Sequence, residues 1–334
     1  MTRFDVTSIG NAIVDVLTQV PDSAIDDHAL NRGTMTLIDA ERAEYLTSVI
    51  GDRVVEAGGS AGNTAVALAG LGSKSAYVGK VASDDLGAQF DRSLKQLDVY
   101  FSTAPLEGNL PTARCLIFVT PDGDRTMNTF LGASTMLMAK DIDPGVIGSS
   151  KVTYMEGYLW DPENAKQAFR KAIEVARAHG RETSLSLSDP FCVDRYRQEF
   201  RELLQTGQID ILFANEDELK SLFETKDYAV ARNAVRELGK LTCVTRGTKG
   251  SEILTDSDVI AVPAFKVPKR LDTTGAGDLY AAGFLHGYTQ DMPLAECGML
   301  ANRAGAAVIQ RIGARLSENA YKAVRDGTMV SGSM

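Results

Sequence analysis

The chain has 334 residues, of which 44% are hydrophobic and 24% charged, and its formal net charge is −9. This is an ordinary globular composition, enough for one large α/β domain with an accessory piece or for two modest domains. The acidic balance gives a nucleic-acid partner no electrostatic support, and no run approaches the roughly 18 apolar residues of a transmembrane helix.

Residues 4–10 read as a short apolar strand, and 12–20 as a second strand carrying Asp15 among Ile13, Val14, Val16 and Leu17. A strand is expected over 34–38, with Asp39 capping the helix that follows. Gly58-Gly59 opens a small-residue helix over 60–71; a strand follows at 76–81 and a helix at 85–97. The stretch 99–131 lacks a helical period and holds a hairpin, 113–120 and 125–130, around the turn Pro121-Asp122-Gly123-Asp124. From 151 the alternation is regular: strands at 152–156, 183–188, 209–214 and 241–245, and helices at 162–179, 194–205, 216–223 and 228–238. Such spacing implies βαβ units and a mostly parallel sheet, with ligands outside the carboxyl ends of its strands. A late hairpin, 251–254 and 259–262, precedes closing helices at 293–309 and 317–324, and Gly327 onward reads as a loose tail. The β-rich segments near 12–38 and 99–132 read as one small sheet, a lid over the site.

Cys115, Cys192, Cys243 and Cys297 are widely spaced and form no CxxC or Cys/His metal pattern. They read as reduced core thiols in a cytoplasmic protein. The opening MTRFDVTSIGNAIVDV reads as a first strand and not as a signal peptide, since it has no long apolar run with a small-residue cleavage site.

The chemistry concentrates in LDTTGAGDLYAAGFL, residues 271–285, where a strand end meets a Gly-rich turn and an apolar helix. Gly275 and Gly277 lack a Cβ, so the backbone there can turn tightly and approach a ligand. The helix start offers free N–H groups and a positive dipole end, an anion site. Asp278 heads the same helix. One pairing of roles fits: the amides hold phosphoryl charge while the carboxylate takes a proton from an attacking hydroxyl. GAGD alone also fits a plain helix cap and turn. In GNAIVDV (10–16), Asp15 either faces solvent from an edge strand or accepts hydrogen bonds from ligand hydroxyls. GGSAGN (58–63) lets the backbone approach a ligand and adds Asn63, donor and acceptor at once; tight helix packing explains the small residues too. NEDE (215–218) opens a helix as an acidic cap, and TRGTKG (245–250) alone reads as an exposed hairpin loop.

Together these strings resemble the ribokinase-like (PfkB) family of carbohydrate and nucleoside kinases along nearly the whole chain. DTTGAGD resembles the family's second signature, GGxxxN its first, and NxxE and TxGxxG two further motifs. The resemblance implies a single domain over 1–334, a three-layer α/β/α sandwich with a mostly parallel central sheet and a small β-sheet lid. It implies Asp278 as catalytic base and Gly275, Ala276 and Gly277 as anion hole, with Arg125, in a DGxR context, swinging over the transferring phosphoryl group. Asn11, Asp15, Gly58, Gly59, Ser60, Asn63 and Tyr158 would hold the acceptor. Asn215, Thr245, Gly247, Gly250, Thr274 and Asn302 would line the ATP site, and Asn215 and Glu218 would order Mg2+ through water. Asp272, Thr274, Val308, Arg311, Gly313 and Ser317 lie where relatives wrap a monovalent cation, which implies K+.

GxxxxGK[ST] is absent, and no GxGxxG follows the first strand, which argues against a P-loop kinase and a dinucleotide enzyme. GNAIVDV, GTMTLID (33–39) and the strand at 125–131 resemble the adenosine-kinase branch, so adenosine or a related purine nucleoside is the expected acceptor. A free sugar such as ribose or fructose is the alternative, and a silent nucleotide-binding sensor the rival outside enzymes. Ile13, Leu37, Leu116, Phe130 and Tyr158 are the expected lining of a base slot. The expected partners are thus ATP and a nucleoside or sugar, with no nucleic acid or membrane, in a monomer or homodimer.

Overall fold

The computed structural model describes residues 2–328. Its strands, in chain order, are β1 (Phe4–Ile9), β2 (Ile13–Gln19), β3 (Met35–Leu37), β4 (Val54–Ala57), β5 (Ser75–Val78), β6 (Tyr100–Phe101), β7 (Ala113–Val119), β8 (Arg125–Phe130), β9 (Ser150–Glu156), β10 (Glu182–Ser186), β11 (Ile211–Asn215), β12 (Leu241–Thr245), β13 (Ser251–Leu254) and β14 (Val259–Val262). Nine of them form one sheet, ordered β14-β13-β12-β11-β10-β9-β1-β5-β6, and five form a second, ordered β3-β8-β7-β2-β4. From β12 to β6 every neighbouring pair is parallel; the β13–β14 hairpin adds an antiparallel edge.

Strand side chains alternate between faces, so a sheet covered on both sides must be apolar at successive positions. Tyr154, Phe213 and Cys243 enter one core; their neighbours Met155, Leu212 and Val244 enter the other. The first core holds the helices Ser60–Gly70, Ala276–Thr289 and Leu294–Val308; the second holds Glu163–Ala178, Pro190–Gln205 and Glu216–Leu222. The result is an α/β fold with helices on both sides of a large, mostly parallel sheet. Helices Ala276–Thr289 and Leu294–Val308 approach very closely: a Cβ on Gly283 would sit 2.8 Å from the Ala301 Cα.

The small sheet has two unlike faces, fixed by register. Asp15 pairs with Cys115 and Leu17 with Ile117, while Cys115 and Ile117 pair with Thr129 and Met127. These side chains share the face towards the cleft. The alternate residues Val14, Val16, Leu116 and Phe118 are buried with Leu46 of the helix Ala40–Val49. Asp39 caps that helix, accepting from the Arg42 N–H at 2.8 Å.

The structure departs from the sequence expectations in places. β4, which no sequence pattern signals, closes one edge of the small sheet, whereas β6, inside the 99–132 stretch, extends the large one. The helix expected from 194 begins at Pro190 with Asp189 as its N-cap, because proline at the first position forfeits only an N–H that has no helical partner. Gly327 follows the helix Glu318–Arg325 at φ +80°, and the expected tail from 329 onward lies outside the described residues. No helix among the described residues is long and apolar enough to cross a membrane.

Candidate active site

The helix Ala276–Thr289 begins from Gly275 in the left-handed region, φ +76°. A Cβ there would stand 2.7 Å from the Ala314 Cβ, so only glycine suits the position. Among the described residues the N–H groups of Gly275 and Gly277 have no acceptor, while that of Ala276 turns back to the Thr273 carbonyl at 3.2 Å. Two of the three expected anion-hole amides are therefore free. Just inside the helix, Asp278 accepts from Ser60 Oγ at 2.7 Å and from Asn63 Nδ2 at 3.0 Å, one donor for each oxygen. Burial pushes its carboxyl up to about 6, against the pull of these two hydrogen bonds. It is still mostly ionised at neutral pH.

Ser60 and Asn63 are fixed by the helix Ser60–Gly70, whose entry is set by Gly58 and Gly59. A Cβ at Gly58 would lie 2.4 Å from Asp15 Oδ2, and one at Gly59 would lie 2.3 Å from the Asn11 carbonyl. Gly58 and Gly59 thus act through close approach to Asp15 and Asn11. Asp15 points from β2 into the cleft, and neither of its oxygens has a protein partner among the described residues. Burial raises its carboxyl to about 6, offset in part by the charges of Arg125 and Arg315. Asn11 is buried and held in place: its N–H and Nδ2 donate to Glu156 Oε1 at 2.6 and 2.8 Å, and its Oδ1 accepts from Ser134 Oγ at 2.9 Å.

Glu156, at the end of β9, is a site residue the sequence reading missed. Its other oxygen accepts from the Ala61 N–H at 2.6 Å, so one carboxylate ties β1 to the helix that aligns Asp278. Burial lifts its carboxyl to about 7 in spite of these donors. A lone acidic residue ending the apolar run KVTYME was the available signal.

A cavity of about 1160 Å³ joins these groups. Asn11, Ser60, Asn63 and Asp278 form a polar floor, and the roof is the cleft face of the small sheet, where Asp15 sits beside the apolar Ile13, Met35, Leu37, Ile117 and Met127. Leu37 is 51% and Met35 47% exposed, an unusual state for apolar strand residues. Tyr158 and Phe191, the latter 65% exposed, line the same cavity. Tyr158 is anchored by its hydroxyl donating to the Ser188 carbonyl at 3.2 Å. Leu116 and Phe130, expected in a base slot, lie on the buried face of the small sheet, one residue out of phase with the cleft.

The same cavity is also lined by Asn215, Glu218, Thr245 and Thr274. Asn215 and Glu218 form a reciprocal cap: Asn215 Oδ1 accepts the Glu218 N–H at 2.8 Å, and Glu218 accepts the Asn215 N–H at 3.0 Å. Glu218 is buried, which raises its carboxyl to about 7. No cluster of three His, Cys, Asp or Glu fit to hold a metal occurs among the described residues. The oxygen donors suit a hard cation held through water and phosphate oxygens, not a closed protein cage. Gly247, Gly250 and Asn302 lie outside the cavity wall. Gly250 turns at φ +86° beneath the Val262 carbonyl, and Asn302 Nδ2 donates to the carbonyls of Val262 and Pro263 at 3.1 and 3.0 Å.

Arg125 is not over the cavity floor. It lines a neighbouring cavity of about 970 Å³ that shares Asp15, Asn63 and Thr274 with the first. Its Nη1 is ion-paired to Asp272 and donates to Thr274 Oγ1 at 3.3 Å. Asp272 also accepts the Thr274 N–H and the Gly313 N–H, each at 2.9 Å. Burial would raise the Asp272 carboxyl, but these donors and the Arg125 charge outweigh it and hold it below its ordinary value. The Val308 carbonyl accepts the Arg311 N–H at 3.1 Å, and Ser317 is the N-cap position of the helix Glu318–Arg325.

Comparison with known proteins identifies the family. Residues 33–320 match the model of the pfkB family carbohydrate kinase. The crystal structure of adenosine kinase from Sinorhizobium meliloti is 48% identical, with a TM-score of 0.91 over 98% of this chain and 100% of that one. A probable sugar kinase from Rhizobium etli CFN 42 is 47% identical, with a TM-score of 0.90 over 98% and 99% of the two chains. A nucleoside kinase from Methanocaldococcus jannaschii is 29% identical over 263 residues, 77% of this chain and 80% of that protein.

Proposed function

The chain belongs to the pfkB family of carbohydrate kinases, and we propose that within it the acceptor is a nucleoside, adenosine, phosphorylated on its primary hydroxyl. As a family member it is an ATP-dependent phosphotransferase acting on a nucleoside or sugar. The observation that carries the finer reading is the split character of the cavity. The polar floor together with the unpartnered Asp15 suits ribose hydroxyls, and the exposed apolar side chains of the roof, with Tyr158 and Phe191 lining the same cavity, suit a purine base. A free sugar would leave that roof facing water.

Asp278 takes the proton of the acceptor hydroxyl, its two oxygens held in place by Ser60 and Asn63. The Gly275 and Gly277 amides and the dipole of their helix face the charge that develops on the transferring group. Asn215 and Glu218 would order Mg2+ through water, which when bound neutralises phosphate charge and aligns the donor. A free sugar is the second reading, supported by the likeness to the Rhizobium etli protein.

The test is ADP release from ATP with Mg2+ across adenosine, inosine, guanosine, cytidine, ribose and fructose. Turnover strongest with adenosine is expected. Turnover with a free sugar and none with any nucleoside overturns the acceptor and keeps the phosphotransferase.

A further inference from the structure

Arg125 begins β8 of the small sheet, while Asp272 and Thr274 begin the turn that presents the Gly275 and Gly277 amides. The two are far apart in sequence, and no strand pairing joins them. The Arg125–Asp272 ion pair is nonetheless well buried, with side chains 11% and 7% exposed. A buried pair of this kind is costly to desolvate and persists only when further hydrogen bonds complete it. On the carboxylate side they do: Asp272 spans the Gly313 and Thr274 N–H groups, and Thr274 Oγ1 takes a second contact from Arg125 Nη1, while the buried Arg125 Nε has no partner among the described residues. One carboxylate therefore touches the small sheet, the 309–313 loop and the anion-hole turn.

We propose that Asp272 is a positioning residue that seats the Arg125 guanidinium, and with it the small sheet, against the turn holding the free amides. The inference rests on the phosphoryl-transfer reading of Asp278. In it, Asp272 touches no substrate and acts only through its partners. It keeps the Arg125 charge beside Thr274, next to the phosphoryl site, and couples closure of the roof to the geometry of the turn. Breaking the seat leaves the acceptor floor intact but loosens the alignment of charge at the transferring group, so the loss falls on kcat.

The experiment is a double-mutant cycle with Asp272→Asn and Arg125→Ala, read as kcat and both KM values. Each single variant is expected to lose about 10²-fold in kcat, as for removal of one preorganised charge-stabilising donor, with the acceptor KM changed much less. The double variant is expected to be no worse than the poorer single one, because both changes break one unit. Multiplicative losses, or wild-type kcat in Asp272→Asn, overturn the proposal. Chemical rescue gives a readout that a purely structural role would not move. Guanidinium ion at millimolar concentration is expected to restore at least about 10-fold of the kcat lost in Arg125→Ala, but only where Asp272 is intact. Equal rescue with Asp272→Asn present, or no rescue at all, contradicts it. If Asp272→Asn does not fold, Asp272→Ser, which also removes the carboxylate, replaces it in the cycle, with the same outcomes deciding. Complete loss in Asp278→Asn beside an additive Arg125/Asp272 cycle would sink this inference and leave the kinase reading standing.

Discussion

The two carboxylates of one short turn, Asp272 and Asp278, are handled in opposite ways. Asp272 meets a guanidinium and two backbone N–H groups, and its carboxyl is held below its ordinary value. Asp278 meets only the neutral donors Ser60 and Asn63, and burial raises it to about 6. A neutralised carboxylate is stable and inert, so it serves to position. A carboxylate buried without a cation is held in a costly state that a substrate proton or hydroxyl can relieve. The same contrast runs through the cleft: Asp15, Glu156 and Glu218 are all raised by burial and lack a directly bound cation.

The sharpest way to break the contrast is Asp278→Asn. The isosteric amide keeps the shape and loses the base, so kcat should fall by about 10³-fold while ATP binding, followed by calorimetry, changes little. A variant with near-normal kcat removes Asp278 from the chemistry. Next in size is Asp15→Ala. Two hydrogen bonds to a charged acceptor are lost, so the acceptor KM should rise by about 10²-fold with little change for ATP. Equal effects on both KM values would mean that Asp15 shapes the cleft and does not hold hydroxyls.

The smallest effect is on stability. Asp15, Asp278, Glu156 and Glu218 have folded pKa values of about 6 to 7, above their ordinary 3.8 or 4.5. The folded state therefore holds more protons than the unfolded chain between about pH 4 and 7, and stability falls as pH rises through that window. The melting temperature should drop by about a few degrees from pH 5 to pH 8, and Asp278→Asn should flatten part of that drop. A melting temperature that rises over the same interval would mean these carboxylates are not strained.

Much of this was legible because the site's motifs are local. DTTGAGD, GGSAGN and GNAIVDV are unbroken strings, each readable by itself, even though the fold then joins them, Ser60 and Asn63 to Asp278 and Gly58 to Asp15. The residues that escaped notice act across the fold. Glu156 is one acidic side chain ending an apolar strand, and only the pairing of β9 with β1 brings it to Asn11. Leu116 and Phe130 were misplaced by phase, since a strand's two faces differ by a single residue and only the register with β2 and β8 decides which meets the cleft. Phe191 follows a proline that begins a helix, and its exposure depends on where that helix starts. β4 is a four-residue edge, too short for its alternation to stand out.

The most direct test places adenosine, ribose and fructose together at equal concentration with Mg2+ and ATP labelled in its γ-phosphoryl group, and follows the label. Label appearing in AMP, and vanishing with Asp278→Asn, is the predicted result. Label in a sugar phosphate with none in AMP would contradict the account of the apolar roof as a base site.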